Sequence, residues 1–387
     1  MTQTSSAATC PSCGAAVPAG SRFCEGCGTP LGGDAGPAPA SAPAPTPSGE
    51  LGSGPISAPT RRKEAEPAGG APAVAEPRRC LACQGTVGAD GYCETCGTKA
   101  PSERDHFEEA PAAWVAGVCD RGLVHARNED AMALLASVAP RRAVLVVCDG
   151  VSNSTDSDVA SLAGARAAGE VLRAPFPRGM GTPSSRAAAI AAVLGDAATA
   201  ANDAVVAVTD PASTNPASAT FAVAVVEDDL LAHANIGDSR VYWLPDAGPA
   251  VQLSVDDSAA EQQIEAGVPR AVAETSPQAH AITKWLGRDA PDVTPRTGQV
   301  VLDGAGWVLV CSDGLWNYAS EPEAVRAQLV AAGTDDPPAL ARALVAFANA
   351  QGGRDNITVA LARVGDPSAT ATGQNASAPA TAGEADG

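Results

Sequence analysis

Short runs of apolar residues recur through the part of the chain between residues 112 and 365. Several of these runs are apolar at consecutive positions, as in Phe-Ala-Val-Ala-Val-Val at 221–226, and this is typical of strands that are buried on both faces. The pattern therefore predicts strands at 114–119, 143–148, 219–226, 230–234, 241–244, 307–311 and 357–364.

Apolar residues at helical spacing occupy segments between these strands. One predicted helix has an apolar face made of Ile190, Leu194, Ala197, Ala201 and Val205. A second begins at Asp336 and Pro337, a typical N-cap followed by proline at the first helical position. Ser320 and Glu323 predict a capping box at the start of a third helix. Together these signals predict one domain of about 250 residues with mixed strands and helices and a large core.

Proline, alanine and glycine are concentrated outside this domain. Such segments bury too little apolar surface to offset the entropy lost on ordering, so their composition favours flexible spacers. We predict a disordered linker at 31–77, a second linker at 100–111, a folded domain at 112–365 and a disordered tail at 366–387.

The 387-residue chain carries a formal net charge of −19, whereas a nucleic-acid surface requires clustered Lys and Arg. No apolar run approaches the ~20 residues that span a bilayer, and the N-terminus lacks the basic and apolar regions of a secretory signal. We therefore expect a cytoplasmic protein with no nucleic-acid partner and no membrane. In a reducing compartment its eleven cysteines favour metal or redox chemistry over structural disulfides.

Eight of the cysteines form two complete sets, each with two Cys-x2-Cys pairs. The sets are Cys10, Cys13, Cys24 and Cys27, and Cys80, Cys83, Cys93 and Cys96. Four thiolates make a tetrahedral site that suits Zn²⁺, and metal binding folds modules that are too small for a core. A disulfide or a thioredoxin-like pair is disfavoured because both sets are complete. We predict structural zinc ribbons at 8–30 and 78–99, with one Zn²⁺ each, as protein-interaction modules on the disordered arm.

Acidic residues lie at five places where an apolar strand begins or ends. Asp-Gly at 149–150 and at 313–314 follows a strand directly, and Glu129-Asp130, Asp238 and Asp355 lie beside other strands. A single Asp-Gly is most often only a turn. Five acidic groups at one sheet rim would repel each other unless cations neutralised them, and oxygen ligands select Mg²⁺ or Mn²⁺ over zinc. The pattern predicts a metal site built from carboxylates.

Five short motifs follow one another along the domain. They read DRG at 120–122 with NED at 128–130, VCDG at 147–150, GDSR at 237–240, CSDGL at 311–315 and GRDN at 353–356. In order and approximate spacing they resemble the PPM family, the type 2C metal-dependent protein phosphatases, over about 114–364. The resemblance implies an α+β fold, a four-layer α-β-β-α sandwich of two central antiparallel sheets flanked by helices. It also implies hydrolysis of phosphoserine and phosphothreonine in proteins by a metal-activated water, in opposition to a bacterial Ser/Thr kinase.

The same resemblance assigns two, or with a weaker site three, Mn²⁺ or Mg²⁺ ions to the acidic residues. Asp149 would bridge two ions, with the carbonyl of Gly150 beside it. Asp313 and Asp355 would complete the coordination of one ion. Glu129 and Asp130 would hold the second ion, partly through water. Asp238 would bind the weaker third ion together with Asp313. No cysteine nucleophile is then needed, so the cysteines within the apolar strands are predicted to be core residues.

The chain departs from the family pattern around this site. His125 occupies the position of a phosphate-binding arginine, so we predict that Arg127, two residues further along, reaches the phosphate instead. The alternative is that Arg127 only pairs with a surface carboxylate. The glycine-rich turn that usually follows the first Asp-Gly is also lost. Two other hypotheses stay open: a catalytically weak pseudophosphatase scaffold that binds phosphoproteins, and a zinc-ribbon nucleic-acid factor with an inert acidic domain.

Overall fold

The computed structural model describes residues 79, 83–88, 91–97, 100, 102–152, 154–276 and 278–365, together with the backbone of two short strands near the N-terminus. The chain divides into two compact units, Met1–Ala100 and Pro101–Gly387. The predicted linker at 31–77 and the predicted tail at 366–387 lie outside the described residues. Apart from its two short strands, the predicted ribbon at 8–30 lies outside them as well.

Strands and helices alternate irregularly along the chain, and all of the described ones except the first two short strands lie in the second unit. In chain order the strands are β1 (Ala8–Thr9), β2 (Ala16–Val17), β3 (His106–Ala112), β4 (Val115–Asp120), β5 (Ala131–Ser137), β6 (Arg142–Cys148), β7 (Ser218–Ala219), β8 (Phe221–Glu227), β9 (Leu230–Ile236), β10 (Arg240–Pro245), β11 (Val251–Gln252), β12 (Leu286–Gly287), β13 (Arg296–Val301), β14 (Gly306–Cys311) and β15 (Ile357–Val364), of which β1 and β2 belong to the first unit. The helices are α1 (Ser157–Val171), α2 (Pro183–Val208), α3 (Ala259–Glu265), α4 (Arg270–Ala273), α5 (Asp313–Trp316), α6 (Pro322–Ala331) and α7 (Pro337–Ala350).

Two antiparallel sheets form the centre of this unit. The six-stranded sheet has the order β11-β10-β14-β15-β4-β3, and the five-stranded sheet has the order β13-β9-β8-β6-β5. Each neighbouring pair within them is antiparallel. Two further two-stranded ribbons are formed by β1 with β2 and by β7 with β12.

Three groups of buried side chains pack between the four layers of this unit. Apolar residues of both sheets pack against each other between them, among them Leu145 and Val147 from β6 and Val308 and Val310 from β14. Helices α1 and α2 cover the outer face of the five-stranded sheet, and α5, α6 and α7 cover that of the six-stranded sheet. Every residue of β6 is buried because both of its faces are covered, which explains its consecutive apolar positions. The predicted four-layer α+β sandwich is confirmed.

The helix starts agree with the sequence pattern at α7 but not at α6. The Asp336 side chain caps α7 by accepting a hydrogen bond from the backbone N–H of Ala339, as predicted. The predicted capping box at Ser320 is wrong, because α6 begins after Glu321 and has no side-chain cap. The Ser320 hydroxyl donates instead to Glu274, at 2.7 Å, so a long-range contact replaces the local one.

The strands β3, β5 and β13 and the long helix α1 are among the elements that lie where none was predicted. β3 pairs with β4 inside the predicted linker at 100–111, so that linker needs correction and the folded domain begins before residue 112. β13 is the edge of its sheet and has no fully buried residue, so its apolar pattern is weak. α1 buries small residues such as Ala160, Gly164 and Ala168, which pack closely but give little hydrophobic periodicity.

Helix α2 is a special case in composition. Among the described residues it is the one helix that is long and apolar enough to cross a bilayer, by length and composition alone. Its buried residues, which include Ile190, Leu194 and Val205, belong to the cluster that packs on the five-stranded sheet. This packing accounts for the apolar residues on the face of α2 that is turned to the sheet.

His233 in β9 makes the stability of the fold dependent on pH. Its side chain is buried, its Nδ1 has no hydrogen-bond partner within the described residues, and burial lowers its pKa to about 4. Below about pH 6.5 the unfolded chain binds a proton at this histidine that the folded chain does not bind, so the contribution to stability falls between about pH 6.5 and pH 4.

We therefore expect His233→Gln to weaken the acid sensitivity of folding. Between pH 7.5 and pH 5, the wild type should lose about 2 kcal/mol more unfolding free energy than the variant, because glutamine does not titrate. Urea denaturation at the two pH values measures this difference. Equal losses in both proteins would contradict the assignment.

Candidate active site

The predicted acidic residues meet at one rim of the sandwich, where strands of both sheets begin or end. Asp149 follows β6 and Asp130 precedes β5 in the five-stranded sheet, while Asp313 follows β14 and Asp355 precedes β15 in the six-stranded sheet. Asp238 lies in the turn that passes from β9 in one sheet to β10 in the other. The sandwich therefore brings together carboxylates that are far apart in the chain.

Burial and mutual repulsion dominate the electrostatics of this carboxylate cluster. Burial first, and then the charges of Asp130 and Asp313, raise the pKa of Asp149 well above its usual range. Burial first, and then Asp355 and Asp238, do the same to the pKa of Asp313. Burial also raises the pKa of Asp130 to about 6 and that of Asp238 to about 7. A bound divalent cation would relieve the repulsion that causes part of these shifts.

In two of these carboxylates, one oxygen accepts hydrogen bonds from the protein and the other has no donor among the described residues. Asp130 Oδ2 accepts hydrogen bonds from the hydroxyls of Ser312 at 2.6 Å and Thr358 at 2.7 Å, whereas its Oδ1 is buried without a partner among the described residues. Asp313 Oδ2 accepts from the Asn317 amide at 3.0 Å, and its Oδ1 is likewise buried without one. A buried acceptor without a donor is costly, and Mn²⁺ or Mg²⁺ binds such oxygens. The donor set therefore fits a hard divalent cation.

The glycines of the two Asp-Gly pairs allow close backbone packing at the rim. A Cβ added at Gly150 would lie 2.6 Å from the carbonyl oxygen of Glu129, and one added at Gly314 would overlap the carbonyl of Asn356. A side chain at either position would push the loop away from the neighbouring strand end. This agrees with the sequence interpretation of the Asp-Gly pairs.

Glu129 differs from the other predicted ligands because protein groups already engage both of its oxygens. It is buried, and its Oε1 accepts from Arg127 Nη2 at 2.7 Å and from the Ser157 hydroxyl at 2.6 Å. Its Oε2 lies 3.6 Å from Nδ1 of His125. In this arrangement Glu129 connects two residues predicted to bind phosphate.

Arg127 and His125 both lie at the carboxylate cluster. Arg127 is half-exposed and pairs with Glu129, so its partner is a carboxylate, as in the alternative considered from the sequence, but a buried one. His125 Nε2 lies 3.4 Å from Asp355 Oδ1, so this side chain stands between Glu129 and Asp355. The nearby Glu129 carboxylate is the largest cause of a raised pKa of His125. The predicted role of either residue in phosphate binding stays a prediction.

His280 is a member of the site that sequence reasoning missed. One of its ring nitrogens and carboxylate oxygens of Asp238 and Asp313 all lie within 4.8 Å of one another. The imidazole stacks on the Trp316 ring with 5.7 Å between ring centroids. A lone histidine far from every motif carries no spacing signal, so only the tertiary structure reveals this position.

Arg240, the last residue of the GDSR motif, anchors a neighbouring segment to the site. Its buried guanidinium binds both oxygens of Asp256 at 2.7 to 3.1 Å and Glu274 at 3.0 Å. It also lies 3.7 Å from the centre of the Trp316 ring, and the Trp316 indole donates to the backbone carbonyl of Asp238. The motif therefore joins the acidic cluster to the chain between Asp256 and Glu274.

The segment Ser218-Ala219-Thr220 supports the cluster from β7 and the residue that follows it. The Thr220 hydroxyl accepts a hydrogen bond from the backbone N–H of Asp149 at 2.9 Å. It also lies 2.8 Å from the hydroxyl of Ser239. These contacts hold Asp149 at the end of β6.

Three cysteines of the apolar strands are core residues. Cys119, Cys148 and Cys311 are fully buried, and burial is the largest cause of a raised pKa in each, to about 12 for Cys119. A thiol with so high a pKa is a poor nucleophile at neutral pH. This agrees with the interpretation from the sequence.

The first unit holds a cluster of three cysteines. The sulfurs of Cys83, Cys93 and Cys96 all lie within 4.8 Å of one another, and those of Cys83 and Cys93 are 3.4 Å apart. Backbone N–H groups of Gly85 and Thr95 point at sulfurs of this cluster, an arrangement typical of zinc knuckles. The other predicted ligands, Cys10, Cys13, Cys24, Cys27 and Cys80, lie outside the described residues.

The fold and the site define a class: an α-β-β-α sandwich with a carboxylate cluster that suits divalent cations. The chain belongs to the protein phosphatase 2C family, since the model of that family matches residues 123–347, more than half of the chain. A model of the double zinc ribbon matches residues 10–97. Both matches confirm the resemblances drawn from the motifs and from the cysteine sets.

Relatives of known activity cover parts of this chain. Protein phosphatase PhpP of Streptococcus pneumoniae is 35% identical over 153 residues, which are 39% of this chain and 59% of PhpP. Serine/threonine protein phosphatase PstP of Mycobacterium tuberculosis is 30% identical over 251 residues, 64% of this chain and 44% of PstP. The chain thus spans about half of the length of these relatives.

A solved structure agrees with the fold. The catalytic domain of the serine/threonine protein phosphatase PstP in complex with two manganese ions is 25% identical, with a TM-score of 0.51. The match covers 65% of this chain and 97% of that one. It supports the sandwich architecture over almost the whole of that catalytic domain.

Proposed function

We propose that this protein hydrolyses phosphoserine and phosphothreonine in proteins at a centre of two Mn²⁺ or Mg²⁺ ions. The observation that carries the proposal is the convergence of Asp130, Asp149, Asp238, Asp313 and Asp355 at one rim. Two of them have a buried oxygen with no partner among the residues that the structure describes. Membership of the protein phosphatase 2C family supports the reaction class, and the manganese complex of PstP supports the number of ions.

The residues of this chain have two kinds of role at the site: some would bind the cations, and others orient those ligands. Asp149, Asp313 and Asp355 would hold the cations, Gly150 would offer its carbonyl, and Asp130, Glu129 and Asp238 would complete the set as assigned above. Cations held there would supply positive charge to the phosphoryl oxygens and acidity to an attacking water. The hydrogen bonds from Ser312, Thr358 and Asn317 orient two of the carboxylates, so these ligands need not reorganise when charge develops.

Release of phosphate from a phosphoserine peptide tests the proposal. The full chain should release phosphate with Mn²⁺ or Mg²⁺, and chelation should abolish the release until the metal is restored. A protein that stays folded and metal-loaded but releases nothing would contradict it.

The pseudophosphatase hypothesis has one specific observation in its favour: both predicted phosphate-binding side chains contact Glu129, a predicted metal ligand. A protein of that kind would bind the phosphopeptide in a metal-dependent way without turnover. Calorimetry of binding alongside the release assay separates these two functions.

The contacts of Arg127 lead to a prediction about substrate affinity. Its Nε and Nη2 bind Glu129, which fixes the guanidinium while the side chain stays partly exposed for a phosphate oxygen. We expect Arg127→Ala to raise KM for a phosphopeptide at pH 8 by about tenfold, and His125→Ala to raise it much less. Steady-state kinetics with separate kcat and KM values measure the two effects.

Other outcomes would reassign phosphate binding. A larger effect of His125→Ala that disappears above pH 7.5 would give the role to a protonated histidine. No change in KM for either variant would mean that the phosphate is held without these side chains. Arg173→Ala, which removes an exposed arginine paired with Glu170 on α1, is the matched control.

For the first unit we propose two structural zinc ions, one in each cysteine set. The full chain should contain two zinc ions by elemental analysis, and a Cys83→Ser, Cys93→Ser variant should retain one, because it loses two sulfurs of the cluster described above. Unchanged zinc content in that variant would overturn the assignment of the second ribbon.

The proposed reaction requires phosphoproteins, so a serine/threonine kinase in the same compartment is the partner we propose. The composition of the chain favours the cytoplasm as that compartment. Phosphoproteomic comparison of cells with and without the protein would identify the substrates, and a kinase among them would support the partnership.

A further inference from the structure

A cavity of about 300 Å³ opens beside the carboxylate cluster. Asp355 and Gly314 line it on the side of the cluster, and Glu274 and His280 line it from the segment that Arg240 anchors. Tyr318 and Arg354 complete the wall. A substrate chain whose phosphorylated residue lies at the cluster would pass this cavity with a neighbouring residue.

The acidic groups of the cavity are already compensated. Glu274 Oε1 accepts hydrogen bonds from Arg270 at 2.8 Å, from Arg240 at 3.0 Å and from the Ser320 hydroxyl at 2.7 Å. Asp355 lies 3.4 Å from His125 and is one of the proposed metal ligands. Neither carboxylate therefore leaves a free negative charge for a cationic group of a substrate.

The Arg354 guanidinium is the uncompensated charge of this cavity. Its side chain is exposed, and within residues 102–365 the structure records no hydrogen bond or ion pair of that side chain. The backbone around it is held, since the Arg354 N–H donates to the Tyr318 hydroxyl at 3.1 Å and the Gly353 carbonyl accepts from Leu123 at 2.8 Å. A fixed backbone presents a guanidinium whose donors are all available to a ligand.

We propose that Arg354 is a specificity-determining residue that binds a second anionic group of the phosphoprotein substrate. This rests on the proposed phosphatase function. The group is a side-chain carboxylate or a second phosphate, because guanidinium binds both through paired hydrogen bonds. It belongs to a residue within about three positions of the hydrolysed one, since extended chain advances about 3.3–3.6 Å per residue and the cavity begins at Asp355.

Peptide kinetics with the full chain and Mn²⁺ test the proposal. One phosphoserine peptide with glutamine at all flanking positions is compared with peptides that carry a single glutamate at each of the three positions on either side. A further peptide carries a second phosphoserine at the best position. For at least one position, the wild type should hydrolyse the glutamate peptide with a kcat/KM about fivefold higher than that of the glutamine peptide, as expected for a partly exposed ion pair. The preference should weaken as salt is added.

Variants at residue 354 give the decisive comparison. Arg354→Gln should hydrolyse the glutamate and glutamine peptides at equal kcat/KM, and Arg354→Glu should prefer lysine at the same position. Arg178→Gln, which removes an exposed arginine between α1 and α2 that does not line the cavity, should keep the wild-type ratio. The ratio between peptides would not respond to a merely structural effect on Asp355, which changes all substrates alike.

Each outcome decides between the hypotheses. A wild-type preference that survives in Arg354→Gln, or the lack of any preference among active reactions, would overturn the role of Arg354 and leave the phosphatase function intact. Preference for the doubly phosphorylated peptide alone would identify the anionic group as phosphate. No release from any peptide by the metal-loaded wild type would overturn the phosphatase function together with this subsite.

Discussion

Asp313→Asn should lower kcat for a phosphopeptide by at least about a hundredfold while it makes the metal-free protein more stable. Asparagine keeps the shape of the side chain and the contact with Asn317, but it removes a charge from the cluster. In the metal-free protein that charge is buried and repelled by Asp355 and Asp238. Its loss therefore weakens metal binding and relieves repulsion at the same time.

Two measurements check this prediction: phosphate release with saturating Mn²⁺, and the melting temperature in a chelator. Asp149→Asn should behave in the same way, because burial and neighbouring carboxylates raise its pKa as well. Asp292→Asn is the control, since Asp292 is exposed and pairs with Lys284 away from the cluster. Wild-type turnover in Asp313→Asn would refute the role of this residue as a ligand.

Arg240→Met should destabilise the fold by about 3–5 kcal/mol, because it leaves the buried carboxylate of Asp256 without a counterion. Methionine fills much of the volume of the arginine stem but donates no hydrogen bond. The change also removes one of the partners of Glu274 and the cation over the Trp316 ring. Urea denaturation at pH 7.5 in the presence of chelator measures the loss.

A second variant separates the buried charge from a general packing defect. Arg240→Met combined with Asp256→Leu should recover a large part of the lost stability, since no unpaired carboxylate then remains at that position. Arg173→Met, which removes an exposed arginine, should change stability little. If the double variant is no more stable than Arg240→Met alone, the loss does not arise from the unpaired charge.

The strands that the apolar pattern predicted are those covered on both faces. Each residue of β6, and almost every residue of β15, is buried, so each position had to be apolar or small. The edge strands β3 and β13 alternate between exposed and half-buried residues, and their sequences resemble loops. Burial by neighbouring layers, which is a tertiary property, decided which strands the sequence revealed.

The motifs predicted that the acidic residues lie at strand ends, because an acidic residue next to an apolar run is a local feature of the sequence. Most partners of those residues are not local. Asp130 accepts hydrogen bonds from Ser312 and Thr358, which belong to the strand ends of the other sheet. Glu129 accepts one from Arg127, two residues away, and another from Ser157 in helix α1. No spacing in the sequence predicts such pairs, because each depends on how two elements pack.

The sequence by itself determined the positions of the acidic residues and the two cysteine sets, because short motifs are local features of the chain. The resemblance that the motifs carry indicated the family and implied the four-layer architecture. Only the tertiary structure decided that Arg127 pairs with a buried carboxylate, that His280 joins Asp238 and Asp313, and that Arg354 lines the cavity with its charge uncompensated. These facts depend on which layers and side chains surround each group, and that is set by the packing of two sheets and their helices.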